Sequence, residues 1–202
     1  MKNYISINNQ KIELTDEQVR RIIAAQGVPD LRLAEVSEGE TVKIGGHEFV
    51  VLEHAGAATS LILKNLLAED ETFGETNNYD GSNVDELCNA FADELAAIVG
   101  EEKIVVHTVD LTSDDGLKDY GEVTRRASLL TADLYRRYVE ILDKYNPKQW
   151  WWLATAHSTK RHENDSWVKC VSPSGLIYNY GYFDDRGARP FCILKSDIFV
   201  SK

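Results

Sequence analysis

The residues best suited to molecular recognition lie near the C-terminus, where three tyrosines alternate with smaller residues. Asn179 and Gly181 separate Tyr178, Tyr180 and Tyr182, so the three phenols share one face if this segment is a β-strand. Rigid aromatic rings beside polar groups provide a large contact area at a low cost in conformational entropy. The segment therefore predicts a binding surface, although an ordinary solvated hairpin with amphipathic tyrosines explains the same pattern.

Charged residues extend this candidate surface. Asp184, Asp185 and Arg186 follow the tyrosines and are predicted to form a turn before Gly187. A second predicted loop adds ligand-binding candidates of mixed charge, which are Lys160, Arg161, His162, Glu163, Asn164 and Asp165. We expect the tyrosines to supply contact area, and Arg186 with the acids to fix the orientation of a protein partner or small ligand.

The histidines and carboxylates form none of the common catalytic or metal-binding motifs. His157 and His162 are five residues apart in a predicted loop, a spacing that does not bring them together on a helix. The acidic loops around Asp80-Gly81 and Asp115-Gly116 lack the acid that an EF-hand needs at its first position. The phosphate-loop, dinucleotide-binding and hydrolase-elbow signatures are also missing. We therefore expect no catalytic residue, no metal site and no cofactor. An enzyme would need a site assembled only in three dimensions, for example around His107 or His157.

A run of three tryptophans at 150–152 is the strongest single pattern in the chain. On a strand, Trp151 points to one face while Trp150 and Trp152 point to the other. Aromatic rings dominate the energetics of protein cores, so at least two of the three rings are predicted to be buried.

The charge is strongly acidic and unevenly distributed. The 202 residues contain 22 basic and 33 acidic side chains, a net charge of −11, and residues 69–115 contain 14 acids against one base, Lys103. Direct binding to nucleic acid or to an anionic membrane is not expected, because neutralising phosphates needs a cationic surface. The acidic segment is most simply a solvated surface. The alternative is a decoy that imitates nucleic acid and inhibits a host nucleic-acid-binding protein.

Cysteine usage and hydropathy predict a reduced, cytoplasmic protein. Cys88, Cys170 and Cys192 are an odd number and far apart, which disfavours a disulfide framework. The N-terminus has no apolar signal segment, and no apolar run approaches the length of a membrane helix.

The helices and strands that the sequence predicts around these residues indicate an α+β fold. A hairpin and a short helix capped by Thr15 form an N-terminal appendage over 1–33, and one larger domain covers 36–202. Within that domain, one helix is capped by Ser82 and ends at Gly100, and another begins near Ser128. Predicted strands lie at 41–44, 49–52, 59–63, 104–106, 150–153, 167–171, 176–180 and 191–194.

Four C-terminal segments carry a family resemblance: Leu129-Leu130-Thr131, Trp151-Trp152-Leu153, Val171-Ser172-Pro173-Ser174-Gly175 and Gly187-Ala188-Arg189-Pro190-Phe191. Together they resemble a domain of unknown function found in Firmicutes, their prophages and phages. The resemblance covers about 36–202. That family is similar in fold to the C-type-lectin-like group, which includes formylglycine-generating enzymes and the variable proteins of diversity-generating retroelements.

The resemblance implies a twisted mixed domain whose last strands and loops present a ligand surface. Formylglycine-generating enzymes bind copper through two closely spaced cysteines, whereas Cys170 and Cys192 are 22 residues apart, so copper chemistry is not expected. Taken with the C-terminal tyrosines, the resemblance implies a non-enzymatic binding module of phage, prophage or gut-bacterial type. The sequence leaves the ligand and the oligomeric state open.

Overall fold

The computed structural model describes residues 3–7, 10–25 and 31–202, which contain three α-helices and seventeen β-strands. The helices are α1 (Asp16–Ala25), α2 (Asn83–Val99) and α3 (Ala132–Leu142). The strands are β1 (Asn3–Ile7), β2 (Gln10–Leu14), β3 (Leu31–Arg32), β4 (Thr41–Ile44), β5 (His47–Ala55), β6 (Ala58–Leu63), β7 (Ala68–Thr72), β8 (Ile104–Val105), β9 (His107–Asp110), β10 (Glu122–Arg125), β11 (Ala127–Ser128), β12 (Trp151–Ala156), β13 (Trp167–Val171), β14 (Ile177–Gly181), β15 (Asp185–Ala188), β16 (Phe191–Lys195) and β17 (Phe199–Val200).

Two sheets contain most of these strands. One has the order β14-β13-β12-β15-β7, and the other has the order β11-β16-β6-β5-β4 with β8 also paired to β16. The pairs are antiparallel except for β12 with β15, which is parallel. The chain passes from the first sheet to the second between β15 and β16, through Arg189 and Pro190. This mixture of helices and largely antiparallel strands confirms the predicted α+β class.

Alternation along β12 puts its tryptophans into two different cores. Trp151 and Leu153 pack with Tyr135 of α3, whereas Trp152 packs with Phe73 and Cys170 on the opposite face. Both indole rings are fully buried. The prediction that at least two of the three tryptophans belong to the core is confirmed, because the period-2 pattern of a strand buried on both faces directs successive rings to opposite sides.

Helix α2 follows the sequence prediction closely. The Ser82 hydroxyl accepts a hydrogen bond from the backbone N–H of Asp85, and Gly100 ends the helix with φ of 94°. Phe91 and Leu95 on its apolar face contribute to the core of the six-stranded sheet. The cap satisfies one of the free N–H groups of the first turn, and a positive φ is available to glycine without a steric penalty.

Helix α3 begins later than predicted. Its cap is Thr131, whose hydroxyl accepts from the N–H of Leu134 at 3.2 Å, and Ser128 belongs instead to β11. Ser128 is buried opposite Phe191 of β16. The start near Ser128 was wrong because a buried strand pairing occupies that residue, and the next residue able to cap a helix is Thr131.

The N-terminal hairpin and the first capped helix are also confirmed. Strands β1 and β2 pair in antiparallel register, and the backbone N–H groups of Thr15 and Gln18 each donate to the other residue's side chain. The predicted helix end near Gly27 and the break at 28–30 lie outside the described residues. Strand β3 pairs with β17, so the predicted boundary at residue 33 falls directly beside a segment paired with the larger domain.

Candidate functional site

An aromatic cluster forms on one face of the five-stranded sheet. The indole of Trp150 meets the rings of Tyr178 and Tyr180 edge-on, with centroids 5.2 and 5.0 Å apart. The Arg186 guanidinium lies 3.7 Å from the centroid of the Tyr180 ring. We call Trp150, Tyr178, Tyr180 and Arg186 the aromatic cluster. Edge-to-face packing and cation–π contact favour this arrangement of the side chains.

Strand pairing explains why two of the tyrosines share a face. Tyr178 lies opposite Cys170 and Tyr180 lies opposite Val168, and both partners belong to the same core. The prediction of a common face is therefore confirmed for Tyr178 and Tyr180. Tyr182 follows the end of β14, where its ring packs against the same core and edge-on to Phe183.

The predicted turn at 184–186 is wrong for two of its three residues. Asp185 and Arg186 belong to β15 and pair with Thr72 and Glu71 of β7. Asp184 does lie in a turn, where its carboxylate accepts from the N–H of Gly181 at 3.0 Å. The segment extends because β7 offers it a hydrogen-bonding partner, which the local sequence does not show.

Arg186 is the charged residue of the aromatic cluster, and its side chain has few polar partners. Its Nε atom is buried without a hydrogen-bond partner, and Nη1 donates to the carbonyl of Asp185. No described carboxylate forms an ion pair with this guanidinium. A guanidinium that is held by an aromatic ring and lacks an acidic partner can donate hydrogen bonds to an anionic or carbonyl group of a ligand.

Only part of the predicted loop at 160–165 reaches the aromatic cluster. Asn164 lines a shallow groove with Tyr178 and Trp167, whose volume is about 320 Å³. Arg161 instead forms an ion pair with Asp119, and Nδ1 of His162 lies 2.9 Å from the Asp115 carboxylate. Lys160, Arg161 and His162 form a short 3-10 turn that ends at Glu163, with φ of 54°. The loop therefore contributes Asn164 to the surface and places Arg161 and His162 against the loop that contains Asp115 and Asp119.

Two residues that line the groove beside Tyr178 each carry a buried polar atom without a partner. Nδ1 of His157 and Oδ1 of Asn179 are buried and have no hydrogen-bond partner among the described residues. Both residues line the groove. Buried polar atoms are normally paired, but these two have almost no accessible surface, so a ligand group could reach them only after a side-chain rearrangement.

Asp115 is the centre of a hydrogen-bonded network that sequence reasoning did not find. Ser113 and Ser158 donate to its carboxylate at 2.5 and 2.6 Å, and Nδ1 of His162 lies 2.9 Å from it. The hydroxyl of Ser113, followed by that of Ser158, holds the pKa of Asp115 far below its ordinary value. Both serines bind the carboxylate rather than the imidazole, so the arrangement is not a Ser-His-Asp triad.

We expect Asp115→Ala to lower the free energy of unfolding at pH 7 by about 1–3 kcal/mol, the usual cost of losing hydrogen bonds to a charged group. A carboxyl with a depressed folded-state pKa stabilises the fold above its unfolded pKa of about 4 and loses that contribution as the pH falls. The difference from wild type should therefore shrink below about pH 4. Urea unfolding across pH tests this. Asp133→Ala is the control, because its side chain is 90% exposed, and an equal loss in both variants would contradict the role of the network.

His107, one of the two histidines considered for a hidden enzyme site, is partly buried. Nε2 of His107 lies 2.9 Å from the hydroxyl of Ser128, and its ring packs edge-on against Phe191. Burial lowers the pKa of His107 to about 4, so the ring is neutral at pH 7. No described hydrogen bond joins either His107 or His157 to a cysteine or a carboxylate.

All three cysteines are buried. Cys170 lies on β13 and Cys192 on β16, in different cores. Burial raises the pKa of each of these thiols to about 12, which suppresses the reactive thiolate. Among residues 3–7, 10–25 and 31–202, no group of three or more His, Cys, Asp or Glu side chains is arranged to hold a metal ion.

A further cavity in the described part of the chain lies away from the aromatic cluster. Its volume is about 1100 Å³, and it contains none of the predicted binding residues. Cations and acids line it together with apolar groups, among them Arg32, Lys43, Ile98, Lys103, Asp197 and Phe199. The ion pair of Lys103 with Asp197 at 2.8 Å neutralises part of this charge.

Exposed apolar side chains add to the predicted surface. Trp167, Leu176 and Phe183 are 44, 56 and 63% exposed, and Tyr178 is 47% exposed. Trp167 begins β13, Tyr178 lies within β14, and Leu176 and Phe183 lie just outside the two ends of β14. The sequence signal that could have identified Leu176 and Phe183 is an apolar residue within a turn-forming stretch, as in Ser174-Gly175-Leu176 and Phe183-Asp184-Asp185.

Comparison of the chain with protein-family models, curated proteins and solved structures gives no match. In the described residues, none of the helices has the length and apolar character needed to cross a membrane.

Proposed function

We propose that the chain is a non-enzymatic binding module that holds a protein or small ligand on the aromatic cluster and the groove beside it. One observation carries this proposal. Of the seven large apolar side chains that are exposed in the described residues, four lie within 167–183, namely Trp167, Leu176, Tyr178 and Phe183. Exposed apolar groups gathered in one region mark interaction sites more often than scattered ones do.

The chemistry of the surface supports recognition of a ligand with both apolar and polar groups. The rings of Trp150 and Tyr178 offer rigid contact area, and Arg186 offers a cation without an acidic partner. Aromatic residues and arginine are the residue types that most often dominate binding energy. The C-type-lectin-like fold and the phage or prophage origin implied by the family resemblance belong to this proposal, since a ligand surface on the last strands and loops is typical of that group.

The test is affinity purification from the cell that encodes the chain, followed by mass spectrometry. We expect the double variant Tyr178→Ala with Arg186→Ala to lose a captured partner. The loss should be about 30-fold in affinity or more, because a hot-spot side chain contributes about 2 kcal/mol or more. Val106→Ala is the matched control, because this side chain is also exposed (57%) and lies between β8 and β9. Partner recovery that is unchanged in a folded double variant would remove this surface from the proposal.

The decoy alternative has less support from the ion pairs. A nucleic-acid mimic needs free anionic groups, whereas five of the 14 acids in 69–115 pair with an arginine and two more lie 2.9 Å from a histidine ring. These seven are Asp80, Asp85, Asp93, Glu94, Glu101, Asp114 and Asp115. Most of their partners lie outside that segment, so the local excess of acid balances bases elsewhere in the fold.

A further inference from the structure

Strand β14 is an open edge of the five-stranded sheet. The ladder to β13 includes bonds from the N–H of Ser172 to the carbonyl of Leu176 and from the N–H of Tyr182 to the carbonyl of Ser166. Backbone groups of an antiparallel strand alternate in direction, so the even-numbered residues of β14 face β13 and Ile177 and Asn179 face outward. No described residue forms a hydrogen bond with the backbone N–H or carbonyl of Ile177 or Asn179.

The two edges of this sheet differ in how they are protected. The opposite edge, β7, contains Glu69, Asp70 and Glu71 among its five residues. By contrast, the segment 172–182 around β14 contains no charged residue and no proline after Pro173. Natural sheets guard exposed edges with charge, proline or bulges, and an edge without such protection is suited to pairing with another strand.

We propose that two copies of the chain associate through antiparallel pairing of β14 with β14, around a two-fold axis at Tyr178. Ile177 of one copy then lies opposite Asn179 of the other, and the outward N–H and carbonyl groups of these residues form four reciprocal hydrogen bonds. A self-complementary contact of this kind is the commonest symmetry of homo-oligomers. The proposal goes beyond the binding function and does not rest on it.

The side chains at this contact are also compatible with self-pairing. Tyr178 of one copy lies opposite Tyr178 of the other at a non-hydrogen-bonded position, where paired side chains are closer than at a hydrogen-bonded position. Leu176 of each copy lies opposite Tyr180 of the other. These pairs are uncharged, so no like-charge repulsion opposes the contact at its centre. Pairing also covers Leu176 and Tyr178, which are about half exposed in the single chain. The two aromatic clusters then lie side by side on a continuous ten-stranded sheet.

The contact is small, so the dimer is expected to be weak and dependent on concentration. In sedimentation equilibrium, the apparent mass should rise from 22.8 kDa towards twice that value as the concentration increases. Tyr178→Lys should keep the chain monomeric, because it places two cations opposite each other across the axis. Val106→Lys is the matched control, since it adds the same charge at an exposed apolar site away from β14, and it should dimerise as wild type does.

Disulfide trapping tests the register. The two-fold axis brings the Cα atoms of Tyr178 in the two copies to roughly 4.5 Å, which lies within disulfide range. Tyr178→Cys should therefore form a covalent dimer on mild oxidation, whereas Asn179→Cys should not. The native cysteines are buried and should not interfere. In the unmodified chain, amide exchange at Ile177 and Asn179 should slow as concentration rises. A constant mass of 22.8 kDa at all concentrations, or a dimer that Tyr178→Lys leaves intact, would overturn the proposal.

Discussion

Replacement of Trp152 by alanine should lower the free energy of unfolding by about 3–5 kcal/mol, the range typical of removing a buried tryptophan. The ring is fully buried and meets Phe73 edge-on at 5.6 Å. Its Nε1 atom donates to the carbonyl of Glu71 at 2.8 Å, which links β12 to the edge strand β7. Alanine leaves a cavity and also leaves this carbonyl without its donor.

Urea unfolding followed by circular dichroism measures this effect. Trp167→Ala is the matched control, because it removes the same ring from a site that is 44% exposed and should cost less than about 1 kcal/mol. The midpoint of Trp152→Ala should fall while the slope of the transition stays close to that of wild type. Similar losses in the two variants would contradict the assignment of Trp152 to the core.

The same substitution should weaken the candidate surface indirectly. Strand β15 carries Arg186 and lies between β12 and β7 in the sheet. The hydrogen bond from Trp152 spans that strand, so its loss loosens the support beneath Arg186. A binding partner identified by affinity purification should therefore be held less tightly by a folded Trp152→Ala variant.

The sequence predicted those elements whose pattern is set by local chemistry. Alternating or continuous apolar residues identified β5, β6, β12, β13 and β16, because each of these strands is buried on at least one face. Strand β7 was not predicted, because its sequence is Ala-Glu-Asp-Glu-Thr and its extended form depends on pairing with β15. Propensity alone disfavours acids in strands, and tertiary pairing overrides it here.

The candidate site was predictable only where it depended on strand periodicity. The alternation of Tyr178 and Tyr180 predicted their common face, but nothing local placed Trp150 against them or Arg186 over Tyr180. These contacts join residues from three different strands or strand ends. In the same way, the position of His162 in a loop of mixed charge suggested a ligand contact, whereas the fold places this side chain against Asp115.

The second large effect concerns Asp85, which belongs to the acidic segment 69–115 that the sequence predicts to be a solvated surface. Asp85 lies in the first turn of α2 and is 1% exposed. Arg125 of β10 binds its two carboxylate oxygens with Nε at 2.8 Å and Nη2 at 2.7 Å. The contact with Asp85 raises the pKa of Arg125 above its ordinary value. The pair therefore fastens β10 to the start of α2.

We expect Arg125→Met to lower the free energy of unfolding by about 3–5 kcal/mol, because it leaves a buried carboxylate without its cation. Arg126→Met is a close control, since the acids that Arg126 contacts, Asp93 and Glu101, are 72 and 65% exposed. Exposed pairs contribute between about 0 and 1 kcal/mol, so this neighbour should have a small effect that disappears in high salt.

A double-mutant cycle separates the loss of the attraction between Asp85 and Arg125 from the cost of leaving the buried carboxylate without a cation. Asp85→Asn combined with Arg125→Met removes both charges, so it should recover at least about 1 kcal/mol relative to Arg125→Met alone. The recovery is incomplete because the carboxylate of Asp85 accepts from the N–H of Gly81 at 3.0 Å. The neutral amide oxygen of asparagine is a weaker acceptor for this group. If the free-energy changes of Asp85→Asn and Arg125→Met were additive, the cost of Arg125→Met would come from lost packing of the arginine side chain. The ion pair with Asp85 would then contribute nothing to stability.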